Sequence, residues 1–368
     1  MNRLTRIEVR GFKSLRDLTL DDIGGMTVLI GANGSGKSNV VSFFSLLNWM
    51  MSGTMRAYVA RKGGASALLH YGPKTTPQLE TTLSFQTENG LNTYRARLAH
   101  ASPDMLIFLD EAVSYRSPGF ASPLVLPLGV GHAESRVTRD HEHQTVRHLG
   151  RLLARCRVFQ FHDTSDESPV RLSRDLNDNR FLRSDAGNLA SYLYALGQGF
   201  PGHYHRIVET IRQVFPQFQD FDLAPDRLQP NSIRLAWRER GSDYLFGPHQ
   251  LSDGTLRAMA LITLLLQPED DLPDILIVDE PELGLHPFAI GVLASLLRGV
   301  AAAGRQVLVA TQSPLLVDHF EPQDIVVVER PDRETTLRRL SAAELGSWLD
   351  DFRLSELWDK NVIGGRPS

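Results

Sequence analysis

Apolar and polar positions alternate at the start of the chain. Leu4, Ile7 and Val9 stand among charged neighbours and predict a strand, and Met26–Ile30 is a second, more buried one. After a glycine-rich turn, Val40, Phe43, Phe44, Leu47 and Met51 recur with helical spacing and predict one buried helix face. From Gly63 to about Gly131 the text is rich in Gly, Pro, Ser and Thr, with strand-like pieces at Thr81–Phe85 and Leu106–Leu109, the pattern of an antiparallel layer with loops. Residues 133–155 read as helix, Arg157–Phe161 as strand, Gly187–Phe215 as helix and Ser232–Trp237 as strand.

The last third alternates regularly. Leu256–Leu266 predicts a helix, Ile275–Val278 a buried strand, Pro287–Val300 a helix, Gln306–Ala310 a buried strand and Asp324–Glu329 a further strand. Strand–helix alternation of this kind predicts an α/β fold with a mainly parallel sheet and helices on both faces. The expected organisation is one head over 1–368: an N-terminal part at 1–132 with the β layer, an inserted helical or mixed lobe at 133–245, and a closing part at 246–368. No internal repeat and no sustained heptad pattern is present, so a long coiled-coil arm is not expected.

Three short motifs carry chemistry. Gly31, Ala32, Asn33, Gly34, Ser35, Gly36, Lys37 and Ser38 fit G-x-x-x-x-G-K-[ST] without a mismatch, between a predicted strand and a predicted helix. Gly34 and Gly36 let the backbone turn its N–H groups towards phosphate oxygens, and the helix N-terminus adds partial positive charge. Lys37 would bridge the β- and γ-phosphates, and Ser38 would ligate Mg²⁺. The second motif is the apolar strand running from Asp274 into Asp279, Glu280 and Pro281. Asp279 would hold Mg²⁺, largely through water, and Glu280 would polarise the attacking water. The third is Leu251, Ser252, Asp253, Gly254 and Thr255 before the next helix; a serine there also suits an ordinary helix N-cap.

The order of phosphate loop, L-S-x-G and D-E-P resembles the ABC ATPase superfamily. The resemblance implies that Leu251–Thr255 is a signature loop serving the ATP held by a second protomer, so that two sites form across a homodimer. Arg10–Ser14 (RGFKS) and the phosphate loop continued through Asn39 resemble the SMC and RecF-like branch. The run Asp279–Pro287 (DEPELGLHP) is similar to the version in OLD-type and related AAA-family ATPases, and places His286 at the D-loop position where transporters usually carry Asp. Ser355–Trp358 and the pair Gly364, Gly365 are similar to the tails of that group. Motif similarity covers residues 1–50 and 245–320; between them it extends only to general layout. The family places a switch His after the strand that follows the acidic pair, whereas this chain has Gln312 between Thr311 and Ser313. Glutamine donates a hydrogen bond but cannot shuttle a proton at neutral pH, which implies slow hydrolysis. The family's magnesium-sensing glutamine falls on Gln160, with His162 and Asp163 as rivals.

Composition narrows the field. One cysteine, Cys156, excludes an internal disulfide framework and a zinc ribbon, and suits a reducing cytoplasm. No apolar run is long enough to span a bilayer, so no membrane role is expected. The net charge of −4 gives no global attraction for nucleic acid, although residues 1–62 hold nine Lys/Arg against four Asp/Glu. His141, His143 and His148 beside Glu142 lack a completing Cys or Asp and read as solvated helix histidines. Arg147, Arg151 and Arg155 form a basic stripe that reads first as a solvent-facing helix and second as a nucleic-acid contact. No Ser-His-Asp pattern is recognisable, and only a short tail follows residue 330, without room for the nuclease domain that some OLD-type relatives carry. The function expected is Mg²⁺-dependent ATP hydrolysis by an ATP-gated dimer. Two roles remain open: a regulatory subunit controlling a partner effector protein, for example in phage defence, or a genome-maintenance enzyme clamping DNA.

Overall fold

A computed structural model describes residues 2–139, 142–346 and 348–365. His141, one of the clustered histidines, lies outside the described residues. The chain divides into two compact units, the first comprising 1–158, 274–277 and 304–368, the second 159–273 and 278–303.

The first unit holds a six-stranded antiparallel sheet made of β1 (Arg3–Phe12), β2 (Leu15–Asp21), β4 (Gln78–Thr87), β5 (Gly90–Ala101), β6 (Met105–Arg116) and β7 (Leu124–Gly129), in the order β2-β1-β4-β5-β6-β7. Leu4 and Ile7 are both buried although they stand three positions apart, an odd step that would put them on opposite faces of a regular strand. The reason is a register shift against β4 between Leu4 and Arg6, a bulge whose extra residue returns Ile7 and Val9 to the core face. On β4 to β6 the inward positions include Leu79, Leu83, Phe85, Tyr94, Leu98 and Phe108, each worth roughly 1.5–3 kcal/mol of burial.

A second six-stranded sheet contains β3 (Met26–Ile30), β8 (Cys156–Phe159), β9 (Ile275–Asp279), β10 (Gln306–Thr311), β11 (Ile325–Glu329) and β12 (Thr336–Arg339), in the order β12-β11-β3-β10-β9-β8. β3 runs parallel to both β10 and β11, and β12 closes the edge antiparallel to β11. The unbroken apolar runs of β3, β9 and β10 follow from this, since every residue of each is buried. Helix α1 (Lys37–Met51) buries Val40, Phe43, Phe44 and Leu47 as its spacing predicts, with Phe43 edge-on to Phe12 at 6.1 Å.

The helix expected over 133–155 is shorter: α2 spans only Gln144–Ala154. Glu111, fully buried on β6, captures the preceding segment. Its carboxylate accepts from Ser135 Oγ (2.5 Å), from the Arg136 N–H (2.9 Å) and from Tyr94 Oη (2.8 Å), and meets His132 Nε2 at 2.8 Å. Backbone donors spent on a buried carboxylate are not available to a helix. Burial and the Glu111 charge push the Tyr94 phenol well above its usual range.

In the second unit, the helix expected over Gly187–Phe215 is two, α3 (Leu189–Gly199) and α4 (Pro201–Val214), because Pro201 cannot continue α3 and instead opens α4. The strand expected at Ser232–Trp237 is likewise split into Ser232–Ile233 and Trp237–Glu239. Trp237 stacks on Phe246 at 4.6 Å and lies beside Phe215 and Phe218, an aromatic core belonging to this unit. Helix α5 (Asp253–Leu266) is buried along most of its length, and α6 (Pro287–Ala302) buries Ile290, Leu293, Ala294 and Leu297.

Candidate functional site

In the first unit the chain leaves β3 at Ile30 and turns through the glycine-rich loop into α1. A side chain at Gly31 would place its Cβ 2.3 Å from the Val328 carbonyl oxygen, and one at Gly36 would place it 2.0 Å from Thr335 Oγ1. Gly34 and Gly36 adopt φ of 81° and 113°, which L residues with side chains rarely take. The loop is therefore glycine at Gly31 and Gly36 by close approach and at Gly34 by backbone conformation. Lys37 is buried, and its ammonium donates to the carbonyl oxygens of Gly31 (2.6 Å) and Ala32 (3.0 Å). Asn33, Gly34 and Ser38 are exposed, and α1 has no side-chain cap on its first N–H groups.

A polar chain braces the loop from behind. Asn39 donates its amide to Ser14 Oγ at 2.7 Å, Ser14 Oγ lies 2.6 Å from Thr335 Oγ1, and Thr335 Oγ1 is 3.1 Å from the Ser35 carbonyl oxygen. Ser14 and Thr335 are both buried, so these bonds have no water to compete with them. Ser14 closes the RGFKS run, which ties that motif to the loop. Thr311 at the end of β10 pairs with Ile30, so Gln312 emerges at the same sheet edge as the loop, half-buried. The next residue, Ser313, caps a short helix by accepting from Leu316 N–H at 3.3 Å.

The second unit gathers the other motifs. Asp279 ends β9 buried, and Gln160 Nε2 donates to its Oδ2 at 3.0 Å. His162 Nε2 lies 3.0 Å from the Asp279 main-chain oxygen, while Asp163 accepts from Ser165 in its own turn. Gln160 and His162 thus reach Asp279, and Asp163 does not. Glu280, the residue after β9, is half-buried and has φ 42°, a left-handed conformation that costs a non-glycine residue about 1 kcal/mol.

Ser252 is the N-cap of α5: its Oγ accepts from Thr255 N–H at 3.1 Å and lies 2.8 Å from Thr255 Oγ1. Ser252 and Asp253 are exposed. A Cβ at Gly254 would stand 2.1 Å from the Gly284 carbonyl oxygen, so glycine at 254 is a packing requirement against the segment that leads to His286. His286 caps α6, its Nδ1 accepting from Phe288 N–H at 3.2 Å.

Sequence reasoning missed two arginines. Arg171, almost fully buried, donates to the carbonyl oxygens of Thr164 (2.8 Å), Pro248 and Leu251 (3.2 Å) and to Asp253 Oδ1 (2.8 Å). Its guanidinium holds the Asp253 carboxyl below the usual carboxylate range. Arg257, on α5, donates to the carbonyl oxygens of Phe161 (3.0 Å) and His162 (2.9 Å) and to Thr164 Oγ1 (3.1 Å). Together they fasten the signature loop to the segment that carries Gln160. A single basic residue in a helix whose only other charge is Asp253 was the one available signal for Arg257; Arg171 had none.

Taken separately, the loop of the first unit fits the phosphates of a nucleotide and the end of β9 in the second offers magnesium an oxygen donor. A loop that tolerates no Cβ at Gly31 or Gly36 leads into an uncapped helix N-terminus beside a buried lysine, which suits phosphate. A buried aspartate oriented by an amide, and an exposed first-turn serine hydroxyl, are hard oxygen donors of the kind magnesium takes. Among the described residues no group of three or more His, Cys, Asp or Glu forms a separate metal cluster, and no helix is long and apolar enough to cross a membrane.

Comparison with known proteins agrees with this geometry. The chain is 36% identical over 92 residues to the chromosome partition protein Smc of Mycoplasma genitalium and 37% identical over 90 residues to that of Methanocaldococcus jannaschii. Each match covers 24% of this chain but only 9% and 7% of those longer proteins. Among solved structures, an Smc head bound to the C-winged helix domain of ScpA superposes with a TM-score of 0.62 at 15% identity, covering 93% of this chain and 99% of that one. The Smc head with an extended coiled coil, bound to the C-terminal domain of ScpA derived from Pyrococcus furiosus, gives the same score and identity over 95% and 99%. The fold is that of an SMC ATPase head. The profile of the AAA_21 family matches residues 26–318, most of the chain, and the protein belongs to that family, described as "AAA domain, putative AbiEii toxin, Type IV TA system".

Proposed function

We propose that this protein hydrolyses ATP with Mg²⁺ as an ATP-gated homodimer and acts as a regulatory subunit for a partner effector protein. The observation that carries the reading is the loop at Gly31–Ser38, where close approach at Gly31 and Gly36 and a buried Lys37 leave only a shape suited to phosphate. Bound MgATP would supply an electrophilic phosphorus whose charge the metal partly neutralises. Lys37 holds a fixed positive charge beside the loop N–H groups. Ser38 and Asp279 are the residues that would hold the metal, and Gln160 fixes the Asp279 carboxylate through its amide. Glu280, held in a left-handed conformation immediately after β9, serves as the proton acceptor for the attacking water. Ser252 and Asp253 at the start of α5 are exposed rather than turned inward, which suits this helix N-terminus to the phosphate of a second copy. Gln312 donates a hydrogen bond but takes no proton, and turnover is slow.

The regulatory role is supported by the toxin–antitoxin description of the family and by the Smc head structures, which were solved with a ScpA domain bound. A second reading, DNA clamping in a chromosome-maintenance role, is favoured by the similarity to chromosome partition proteins and by the basic excess in residues 1–62. The single buried cysteine, Cys156, suits a cytoplasmic setting for either role.

The test uses wild type and Glu280→Gln, with turnover and light-scattering mass measured in ATP and in ADP. The expected result is a dimer of Glu280→Gln in ATP, a monomer in ADP, and turnover reduced on the order of 100-fold or more. A variant that stays monomeric in ATP and turns over like wild type removes both the dimer and the catalytic assignment. Stimulation of turnover by duplex DNA, against stimulation by a co-purified protein, separates the two roles.

A further inference from the structure

We propose that the concavity between α2 and the β4–β5–β6 end of the antiparallel sheet binds the phosphate ester of a nucleotide, independently of the glycine-rich loop. The cavity measures about 490 Å³ and is walled by Arg147, His148 and Arg151 of α2 and by Asn89, Asn92 and Tyr115 of the sheet. That volume falls within the roughly 300–1,000 Å³ of small-molecule sites.

Charge and shape both point to an anion. Every lining residue has a polar end, and among the described residues no carboxylate lines the cavity. Arg147 and Arg151 stand one helical turn apart and both are exposed. The third member of the stripe differs: Arg155 is bound to Asp274 at 2.8 Å, and Arg305 shares the same oxygen at 2.6 Å. The structure therefore divides the stripe into one arginine used to join the fold and two that face the cavity. Two guanidinium forks at this spacing suit phosphate oxygens, which accept paired N–H donors. Helix α2 carries no acidic residue in its first turn, and Gln144 and Thr145 of that turn also line the cavity, so its dipole adds to the attraction.

The opposite wall selects for more than a bare ion. The Tyr115 hydroxyl donates to the Asn89 carbonyl, which fixes the ring against the wall. Asn92 is buried, and its amide is held by Thr87 Oγ1 at 3.2 Å. An oriented aromatic ring beside amide and hydroxyl groups suits a base and sugar attached to the phosphate. The source is either a free nucleotide or the terminal phosphate of a nucleic acid, and the experiment separates them.

The test uses the full chain carrying Lys37→Ala, so that the glycine-rich loop does not contribute. Binding of AMP, of inorganic phosphate, and of one short single-stranded oligonucleotide with a 5′-phosphate or a 5′-hydroxyl is measured by titration. Binding of AMP or of the phosphorylated oligonucleotide is expected, with affinity falling about 100-fold on Arg147→Ala/Arg151→Ala. The double variant made without Lys37→Ala should keep wild-type ATP binding and melting temperature, which shows that the fold is intact. Preference for the 5′-phosphorylated over the 5′-hydroxyl oligonucleotide, with AMP weak, assigns the site to nucleic-acid ends; tight AMP binding assigns it to a free nucleotide. If no probe binds, if inorganic phosphate binds as tightly as AMP and the oligonucleotide, or if the double variant binds like its parent, the proposal is wrong.

Discussion

Gln160 donates its side-chain amide to the carboxylate of Asp279 at 3.0 Å, across 119 residues of sequence. The His162 ring meets the main-chain oxygen of the same aspartate, also at 3.0 Å. The segment after β8 is thereby tied to the end of β9 at two atoms of one residue. Arg257 fastens the same segment to the signature helix. Hydrogen bonds on either side of this short segment thus join it both to the end of β9 and to α5.

Replacing Gln160 by alanine should leave ATP affinity within about threefold of wild type and slow turnover by roughly ten- to a hundredfold, since one hydrogen bond to a charged group is worth about 1.5–3 kcal/mol. The lost bond orients the metal-holding carboxylate rather than the nucleotide. Steady-state turnover with a magnesium titration checks this: the magnesium requirement should shift upward in Gln160→Ala. An unchanged magnesium dependence would reduce Gln160 to a strand-end residue.

Arg171→Ala should destabilise the protein by about 2–4 kcal/mol, because the buried carbonyls of Thr164 and Leu251 lose this donor and that of Pro248 keeps only the Leu251 N–H. Arg171→Lys should recover only part of this, since an ammonium cannot reproduce the planar fork that spans these acceptors. Chemical denaturation of the two variants beside wild type checks the order. If lysine restores full stability, the fork geometry is irrelevant and only the charge facing Asp253 matters.

The tail residue Gly365 presents a third test. Its N–H donates to Glu329 Oε1 at 2.9 Å, and a Cβ there would lie 3.1 Å from Val327 Cγ1 and 3.4 Å from the Cα of Gly31. With φ near 80°, an alanine would be strained by about 1 kcal/mol before any contact is counted. Gly365→Ala should lower stability by about 1–2 kcal/mol and weaken ATP binding together, because the neighbour that must give, Val327, pairs with Ile30 at the entrance to the loop. A melting temperature that falls while ATP affinity holds would show that the tail braces β11 alone.

Legibility in the sequence followed distance along the chain. The glycine-rich loop was readable because its strand, its turn and its helix are consecutive, although the close contacts that demand glycine at Gly31 and Gly36 come from the distant Val328 and Thr335. The apolar runs of β3, β9 and β10 were readable because burial on both sides of a sheet leaves no alternation to confuse. Where the outcome depended on a distant partner, local pattern misled. Residues 133–155 looked helical, but Glu111 draws the Arg136 N–H and the Ser135 hydroxyl away from the helix. Arg171 gave no signal because its acceptors are mostly main-chain oxygens, which no side-chain motif announces. Leu4 and Ile7 broke the two-residue period for a reason visible only in the pairing with β4.

Gln312 offers the sharpest test of the chemistry. Thr311 pairs with Ile30, so Gln312 leaves the sheet beside the glycine-rich loop rather than at a remote turn. From there an amide can donate to a phosphate oxygen, whereas an imidazole could also take up or release a proton near neutral pH. Gln312→His should therefore keep ATP affinity near wild type and raise turnover, by roughly tenfold if proton transfer limits the rate. The position is half-buried, so a poorly fitting ring would cost stability and mimic lost activity. Melting temperature must accordingly be followed beside turnover, with Gln312→Ala as the third variant. Faster turnover in histidine and slower turnover in alanine, both at unchanged melting temperature, assign the residue to γ-phosphate stabilisation. Equal turnover in all three would mean that the side chain takes no part in the reaction, and the account of slow hydrolysis would fall with it.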